Sequence, residues 1–345
     1  MKAAVLEGID KLAVKEVPTP KPGPGELLMK VKACAVCGSD LRIFHHGNDR
    51  VQFPQIVGHE VSGVVEEVGD GVTKFAKGDR ICLAADVPCG TCKWCTVGLG
   101  NNCAENYAIG YQFDGGFAEY MLVNKMTVDF GPVARVPDNL DFEEAAIAEP
   151  VACAVNGLEI VGMSAGKSVV IVGLGPIGCL MIPLARHMGA TKVIAVQRSA
   201  KRMEMAREFG ADVYIASEDE DVVARCREET GGEGPDVVIT TCGSVEAHEQ
   251  AIEMVAHRGW VNLFGGLGKG ARNMSVPSNT IHYKECFVTG SHGSTPRHHR
   301  VALDMISAGY VPAKKVVTHR FSLDDIQDAF ASVEGRKGMK AVVTP

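Results

Sequence analysis

Cys89, Cys92, Cys95 and Cys103, in PCGTCKWCTVGLGNNC, place four thiols within fifteen residues of a glycine-rich stretch. As thiolates they can close a tetrahedron around Zn²⁺. Free thiols and two disulfides are the competing readings. The chain opens MKAAVLEGID, with no apolar export signal that would favour disulfides. Four protein ligands leave no position for a substrate, so this zinc is expected to be structural. A catalytic metal needs an incomplete shell. Cys37 in ACAVCGSD, His59 and Glu60 in FPQIVGHEVSGVVEEVG and Glu149 in IAEP offer one sulfur, one nitrogen and two carboxylates. His59 and Glu60 interrupt a valine-rich run that reads as buried strand, where an ionisable group is costly unless something pairs with it. A metal ion is one such partner. A small buried Cys37 beside a hydrogen-bonded His–Glu pair is the other reading, and the wide spacing does not choose between them.

A third chemical signal is VVIVGLGPIG, where Gly173, Gly175 and Gly178 form G-x-G-x-x-G and Pro176 and Ile177 fill the turn. The pattern follows an apolar strand and opens a helix, the context of a dinucleotide pyrophosphate site at a helix N-terminus. Pro183 is expected to bend that helix. About twenty positions beyond the glycines, where an acid would bind the ribose 2′-hydroxyl, stand Gln197 and Arg198, with Lys201 and Arg202 just beyond. With no acid at that position and a guanidinium to grip a 2′-phosphate, NADP(H) is favoured and NAD(H) is the alternative.

The elements that must position these groups are legible in the texture of the chain. Its 345 residues suffice for two domains, and 46% hydrophobic with 22% charged residues is the composition of an ordinary globule. The first 150 or so residues carry short alternating segments such as LLMKVKACAV and FAEYMLV, a β-rich, barrel-like pattern. From about residue 164, strands SVVIV, KVIAV, DVYIA, DVVIT and WVNLF alternate with helical stretches, predicting a doubly wound parallel sheet. The last 55 or so return to short strands, VVTHRFSL and KAVVTP, expected to pack on the first domain. The fold class is thus α/β, a β-rich domain plus a dinucleotide-binding domain. The net charge of -7 gives no footprint for nucleic acid or an anionic membrane. The uncharged run 168–185 is broken by glycines and prolines, and reads as strand, turn and helix rather than a membrane span.

CGSD, GHEVSGVVEEVG, KGDR, the four-cysteine loop, DGGFAEY, the EP at 149–150, GLGPIG and THRF occur in one order along the whole chain. In these motifs the sequence resembles the zinc-containing medium-chain dehydrogenases, and among them the sorbitol, threonine and polyol dehydrogenases. The resemblance implies a GroES-like catalytic domain, residues 1–152 and 290–345, around a Rossmann domain, residues 153–289, with the active site in the cleft between them. It implies that Cys37 and His59 hold a catalytic zinc, that Glu60 and Glu149 coordinate it directly, through water or by exchange, and that Asp40 orients His59. Ser39 then bonds the reacting alcohol and begins the proton exit, while hydride passes to the nicotinamide.

Two departures qualify this. Relatives often carry histidine where Arg42 stands; arginine cannot relay a proton near neutrality, so His45, His46 or water is expected to do so. The segment GSHGST presents His292 and Ser294 in place of an Arg-aromatic pair, which argues against sorbitol itself as substrate. The expected activity is reversible oxidation of a secondary alcohol on a polyol, cyclitol or sugar derivative, with specificity set near Phe44, Phe117 and His292. A metal-free quinone or enone reductase of the same fold and a non-catalytic nucleotide or redox sensor are the rivals. The expected setting is cytoplasmic, as a homodimer or homotetramer acting on a small molecule.

Overall fold

A computed structural model describes residues 1–268 and 270–345, with Lys201 described by its backbone alone. The chain divides into two compact units, Met1–Cys153 with Gly293–Pro345, and Ala154–His292.

The first unit begins with β1 (Lys2–Gly8) and β2 (Lys11–Glu16), followed by β3 (Leu27–Ala35), β4 (Gln55–Ile56), β5 (Glu60–Val68) and β6 (Arg80–Leu83). Short strands β7 (Asp86–Val87) and β8 (Tyr107–Ala108) flank the four-cysteine loop, and β9 (Tyr120–Val123) and β10 (Val133–Arg135) complete this stretch. β3 reads LLMKVKACA and alternates only loosely, because it is covered on both faces and pairs with β5 and β9. Leu27, Met29, Val31, Val61, Val65, Ile81, Leu83 and Phe117 from these strands form one apolar core.

The second unit is the parallel sheet. Its strands β11 (Ser168–Val172), β12 (Lys192–Gln197), β13 (Val213–Ala216), β14 (Val237–Thr240), β15 (Trp260–Leu263) and β16 (Phe287–Gly290) lie in the order β13-β12-β11-β14-β15-β16. The direction of the strand order reverses beside β11, which in such sheets is where a dinucleotide binds, outside the carboxyl ends of the strands. The uncharged run is strand β11, the glycine turn and the helix Pro176–His187; the helix continues through Pro183. No helix among the described residues is long and apolar enough to cross a membrane.

The chain then returns to the first unit with β17 (Val317–Ser322) and β18 (Lys340–Thr344). β18 pairs with β3 through Val342–Ala35 and Val343–Cys34, so the last strand lies beside the end of β3 from which Cys37 follows.

Candidate metal centres and nucleotide turn

Antiparallel pairing of β3 with β5 sets Ala35 opposite Glu60 and Cys34 opposite Val61. Cys37 emerges just beyond β3 and His59 just before β5, so residues 22 apart in sequence meet at one end of the sheet. Gly58 makes this possible: at φ +99, a Cβ there would lie 2.8 Å from Cys34 Sγ and 2.9 Å from the Phe117 ring. Ligand atoms of Cys37, His59 and Glu60 all lie within 4.8 Å of one another.

The helix Gly38–His46 starts at Cys37, whose backbone N–H donates to Asp40 Oδ2 at 2.8 Å. The other oxygen of Asp40 accepts from Gly58 N at 3.3 Å and faces His59 Nδ1 at 3.4 Å, directing Nε2 towards Cys37 and Ser39. Ser39 Oγ is 3.3 Å from His59 Nε2. Burial opposes a charged imidazole, but the nearby charge of Asp40 and the contact with Cys37 outweigh it and raise the His59 pKa well above its ordinary value. The surroundings thus favour positive charge at the position the donor atoms enclose.

Glu60 is fully buried and receives the ammonium of buried Lys340 on Oε1, while Lys340 also donates to Val36 O at 3.4 Å. Its second oxygen, Oε2, is buried with no hydrogen-bond partner. An orphaned carboxylate oxygen beside a thiol and an imidazole is a donor set that fits a divalent metal. Glu149, on the helix Ala148–Ile160, is buried but lies outside that cluster; Cys153, one turn on, donates to its Oε1 at 3.5 Å. Burial pushes the Glu149 pKa up to about 7, with Glu60 adding to the rise and His59 and Lys340 opposing it.

Cys89, Cys92, Cys95 and Cys103 form the second cluster. Their sulfurs stand 3.5 Å (Cys92–Cys95), 3.9 Å (Cys89–Cys95) and 4.0 Å (Cys92–Cys103) apart. Tetrahedral Zn–S bonds of about 2.3 Å give an S–S edge of about 3.8 Å, so the loop already has the required size. These separations exclude disulfides, and all four are free thiols. Backbone N–H groups of Cys89 and Cys92 donate to Cys103 Sγ and Cys89 Sγ at 3.3 and 3.4 Å. Hydrogen bonds from Thr91 and Cys92 lower the Cys89 pKa to about 6, so a thiolate is available near neutrality, while burial pushes Cys95 up to about 12.

In the second unit the glycine turn follows β11. Gly173 has φ +100, which a side chain would strain, and a Cβ on Gly178 would lie 2.0 Å from Gly173 O. A Cβ on Gly175 would meet nothing within 4 Å: open space lies over this glycine, where backbone must approach a pyrophosphate. Pro176 and Ile177 form the first turn of the helix, next to its positive end.

An alcohol dehydrogenase GroES-like domain model matches residues 23–133, and a zinc-binding dehydrogenase model matches residues 176–308. A sorbitol dehydrogenase of Halalkalibacterium halodurans is 32% identical over 100% of this chain and 99% of its own length. The chain belongs to the zinc-binding dehydrogenase family. An L-threonine 3-dehydrogenase of Pyrococcus furiosus is 36% identical over 95% of this chain and 93% of its own. Among solved structures, a zinc-binding dehydrogenase of Sinorhizobium meliloti bound to NADP superposes with a TM-score of 0.92 at 35% identity, covering 100% of this chain and 99% of that one. This protein is therefore an oxidoreductase acting on CH–OH groups.

In this dehydrogenase several expected residues stand elsewhere than the sequence reading placed them. His45 lies six positions beyond Ser39, about 240° around a helix, and so faces away from it. Its Nδ1 and Nε2 meet Asp10 at 2.6 Å and Glu334 at 2.9 Å, and among the described residues it makes no hydrogen bond to Ser39. Phe117 is fully buried in the core against Phe330, so it is no specificity contact, and Phe44 packs on the same ring. Ser294 is also buried, with its N–H on Asp86, and the carbonyl of His292 accepts from Asn156.

Gln197 turns its side-chain oxygen back to Leu174 N at 3.1 Å, inside the glycine turn. Arg198 is largely exposed and pairs with Glu218 at 3.3 Å, so a carboxylate does stand where the sequence suggested none. Arg202 lies in the short helix Ala200–Glu204, and the side chain of Lys201 lies outside the described residues.

Three residues of the first site were not singled out from the sequence. Lys340 opens β18 with its side chain inward, Cys153 sits one turn from Glu149, and Tyr111 has its ring centroid 6.1 Å from that of His59. Only Lys340 left a trace, as a cation at an inward position of an otherwise apolar strand.

Proposed function

We propose that this enzyme reversibly oxidises a secondary alcohol of a polyol, cyclitol or sugar derivative with a nicotinamide cofactor and a zinc ion held by Cys37, His59 and Glu60. The observation that carries this reading is the unpartnered Glu60 Oε2 beside Cys37, His59 and Ser39 in a buried pocket of donors. Glu149 serves the same ion through water or by exchange with Glu60, being buried nearby but outside the cluster. When bound, the metal supplies Lewis acidity that makes the substrate hydroxyl a better acid. Ser39 Oγ accepts that hydroxyl proton, and Asp40 keeps His59 in one tautomer by facing Nδ1. With Arg42 unable to titrate and His45 turned away, the proton leaves Ser39 through ordered water.

Cys89, Cys92, Cys95 and Cys103 hold a second, structural zinc, so the holoenzyme carries two per chain. The unit Met1–Cys153 with Gly293–Pro345 serves as the catalytic domain and Ala154–His292 as the nucleotide domain, within three residues of the expected boundaries 1–152, 153–289 and 290–345. Gly173, Gly175, Pro176, Ile177 and Gly178 receive the pyrophosphate, with Gln197, Arg198 and Arg202 around the adenosine ribose. NADP(H) is favoured over NAD(H): Arg198, only loosely held by an exposed ion pair with Glu218, is available to a 2′-phosphate, and the Sinorhizobium meliloti relative is NADP-bound. The reading includes a cytoplasmic homodimer or homotetramer. It is tested by measuring zinc content and assaying polyols, cyclitols and sugar derivatives with both cofactors. About two zinc ions per chain with NADP⁺-dependent oxidation supports it; a zinc-free chain active on quinones or enones, or inactive on every alcohol, overturns it.

A further inference from the structure

Arg50 lies in the segment between the helix Gly38–His46 and β4, and its backbone N–H donates to Asn48 Oδ1 at 2.9 Å. Asn48, Asp49, Gln52, Phe53 and Pro54 around it are exposed, so nothing in the local chain obliges a long cationic side chain to turn inward. It does so all the same. Its guanidinium carbon lies 4.8 Å from the centroid of the Tyr111 ring. That ring is in turn 6.1 Å from the ring of His59, whose Nε2 is 3.3 Å from Ser39 Oγ. Arg50 is thus one aromatic ring away from the imidazole that touches the hydroxyl taking the substrate proton.

Among the described residues the guanidinium has no counter-ion. Nε and Nη2 are sealed from solvent without a hydrogen-bond partner, and among the described residues no carboxylate pairs with them. An arginine keeps its charge at any working pH, and the face of one tyrosine compensates only part of such a burial. Nε and Nη2 form one edge of the guanidinium fork, the pair of parallel donors that holds a carboxylate or a phosphate with two hydrogen bonds.

We propose that Arg50 is a specificity-determining residue that binds an oxyanion on the substrate, so that the alcohols this enzyme prefers carry a carboxylate or a phosphate several bonds from the reacting hydroxyl. This rests on the reading of the enzyme as a polyol or sugar-alcohol dehydrogenase and names the class within it. The anion takes its place on the Nε–Nη2 edge, and Tyr111 forms the wall between the anion and the reacting carbon.

The test compares sorbitol, sorbitol 6-phosphate and gluconate, and likewise an inositol with its phosphate, as substrates and as calorimetric ligands of the zinc-loaded enzyme. A bidentate charge-assisted pair predicts kcat/KM for the anionic members at least about tenfold above the neutral ones. Arg50→Met should remove that ratio and the calorimetric preference, while Arg50→Lys keeps charge but not the fork and should retain only part of it. Arg50→Gln, with a melting curve for each variant, guards against a folding defect. The phosphate and carboxylate arms show which oxyanion the site takes. An enzyme that oxidises neutral and anionic alcohols equally, or an unchanged ratio in Arg50→Met, overturns the inference while leaving the dehydrogenase reading intact. If no alcohol is turned over, that reading fails, and equal calorimetric binding of sorbitol and sorbitol 6-phosphate then overturns the inference on its own.

Discussion

Lys340 places its ammonium on one oxygen of Glu60 within the core, and the other oxygen of that carboxylate is buried without a hydrogen-bond partner in a residue that clusters with Cys37 and His59. Burial opposes the charge on Lys340, and Glu60 more than restores it, raising the lysine pKa. Breaking such a pair leaves an uncompensated buried charge, typically at a cost of about 3–5 kcal/mol. Lys340→Met should therefore lower stability in urea by that order and reduce zinc at the Cys37 site. Lys340→Met with Glu60→Leu should recover stability but not the metal. Unfolding curves and zinc analysis of the single and double variants check this.

The two cysteine-containing centres should fail differently. Cys37→Ser should abolish turnover while leaving the fold and about one zinc per chain, since an open site contributes chemistry more than stability. Cys95→Ser opens a closed shell whose metal contributes to folding, and should lower the melting temperature or disrupt assembly. Near-normal activity in Cys37→Ser would refute the catalytic assignment.

His299 gives the acid limb of stability. It is fully buried, its Nε2 is 3.8 Å from Cys82 Sγ, and burial lowers its pKa from 6.5 to about 4. Between those values the unfolded chain binds a proton that the folded one does not. Stability is therefore complete above pH 6.5 and is lost as pH falls towards 4, by up to about 3 kcal/mol. His299→Leu should flatten that part of the profile relative to the native protein, as measured by urea unfolding at pH 7.5 and pH 5.

His45 bridges Asp10 and Glu334 on partly exposed ground, where such pairs contribute about 1 kcal/mol or less. His45→Gln should leave the pH profile of alcohol oxidation unchanged and lower stability slightly. A loss of oxidation at pH 6 that is relieved at pH 9 would instead return His45 to the proton path.

For the cofactor, Gln197→Asp with Arg198→Leu should reverse an NADP⁺ preference of at least about tenfold, mainly through KM. Glu218→Gln should sharpen that preference by releasing Arg198 from its ion pair. A native enzyme that prefers NAD⁺ would show that Arg198 stays with Glu218.

What could be read from the chain follows the distances over which its signals act. The four-cysteine cluster and the glycine turn are local, so spacing alone located them. Cys37, His59 and Glu60 needed the family resemblance, because only the β3–β5 pairing brings them together. Lys340 and Tyr111 escaped, since their partners are set by strand order and by loop direction rather than by neighbours in sequence. Glu218 was hidden for the same reason: parallel pairing of Gln197 with Ala216 brings it next to Arg198. His45 is near Ser39 along the helix but not on the same face, a distinction that spacing alone does not carry.

The position of β18 also sets an order of assembly during synthesis. The Ala154–His292 unit is continuous in sequence, and all of its strands have been made while the first unit still lacks its last one. Until residue 340 leaves the ribosome, Glu60 has no counter-ion and β3 has a bare edge where β18 belongs. The Cys37 centre is therefore completed only once β18 has been made, whereas the four-cysteine loop is complete by residue 103.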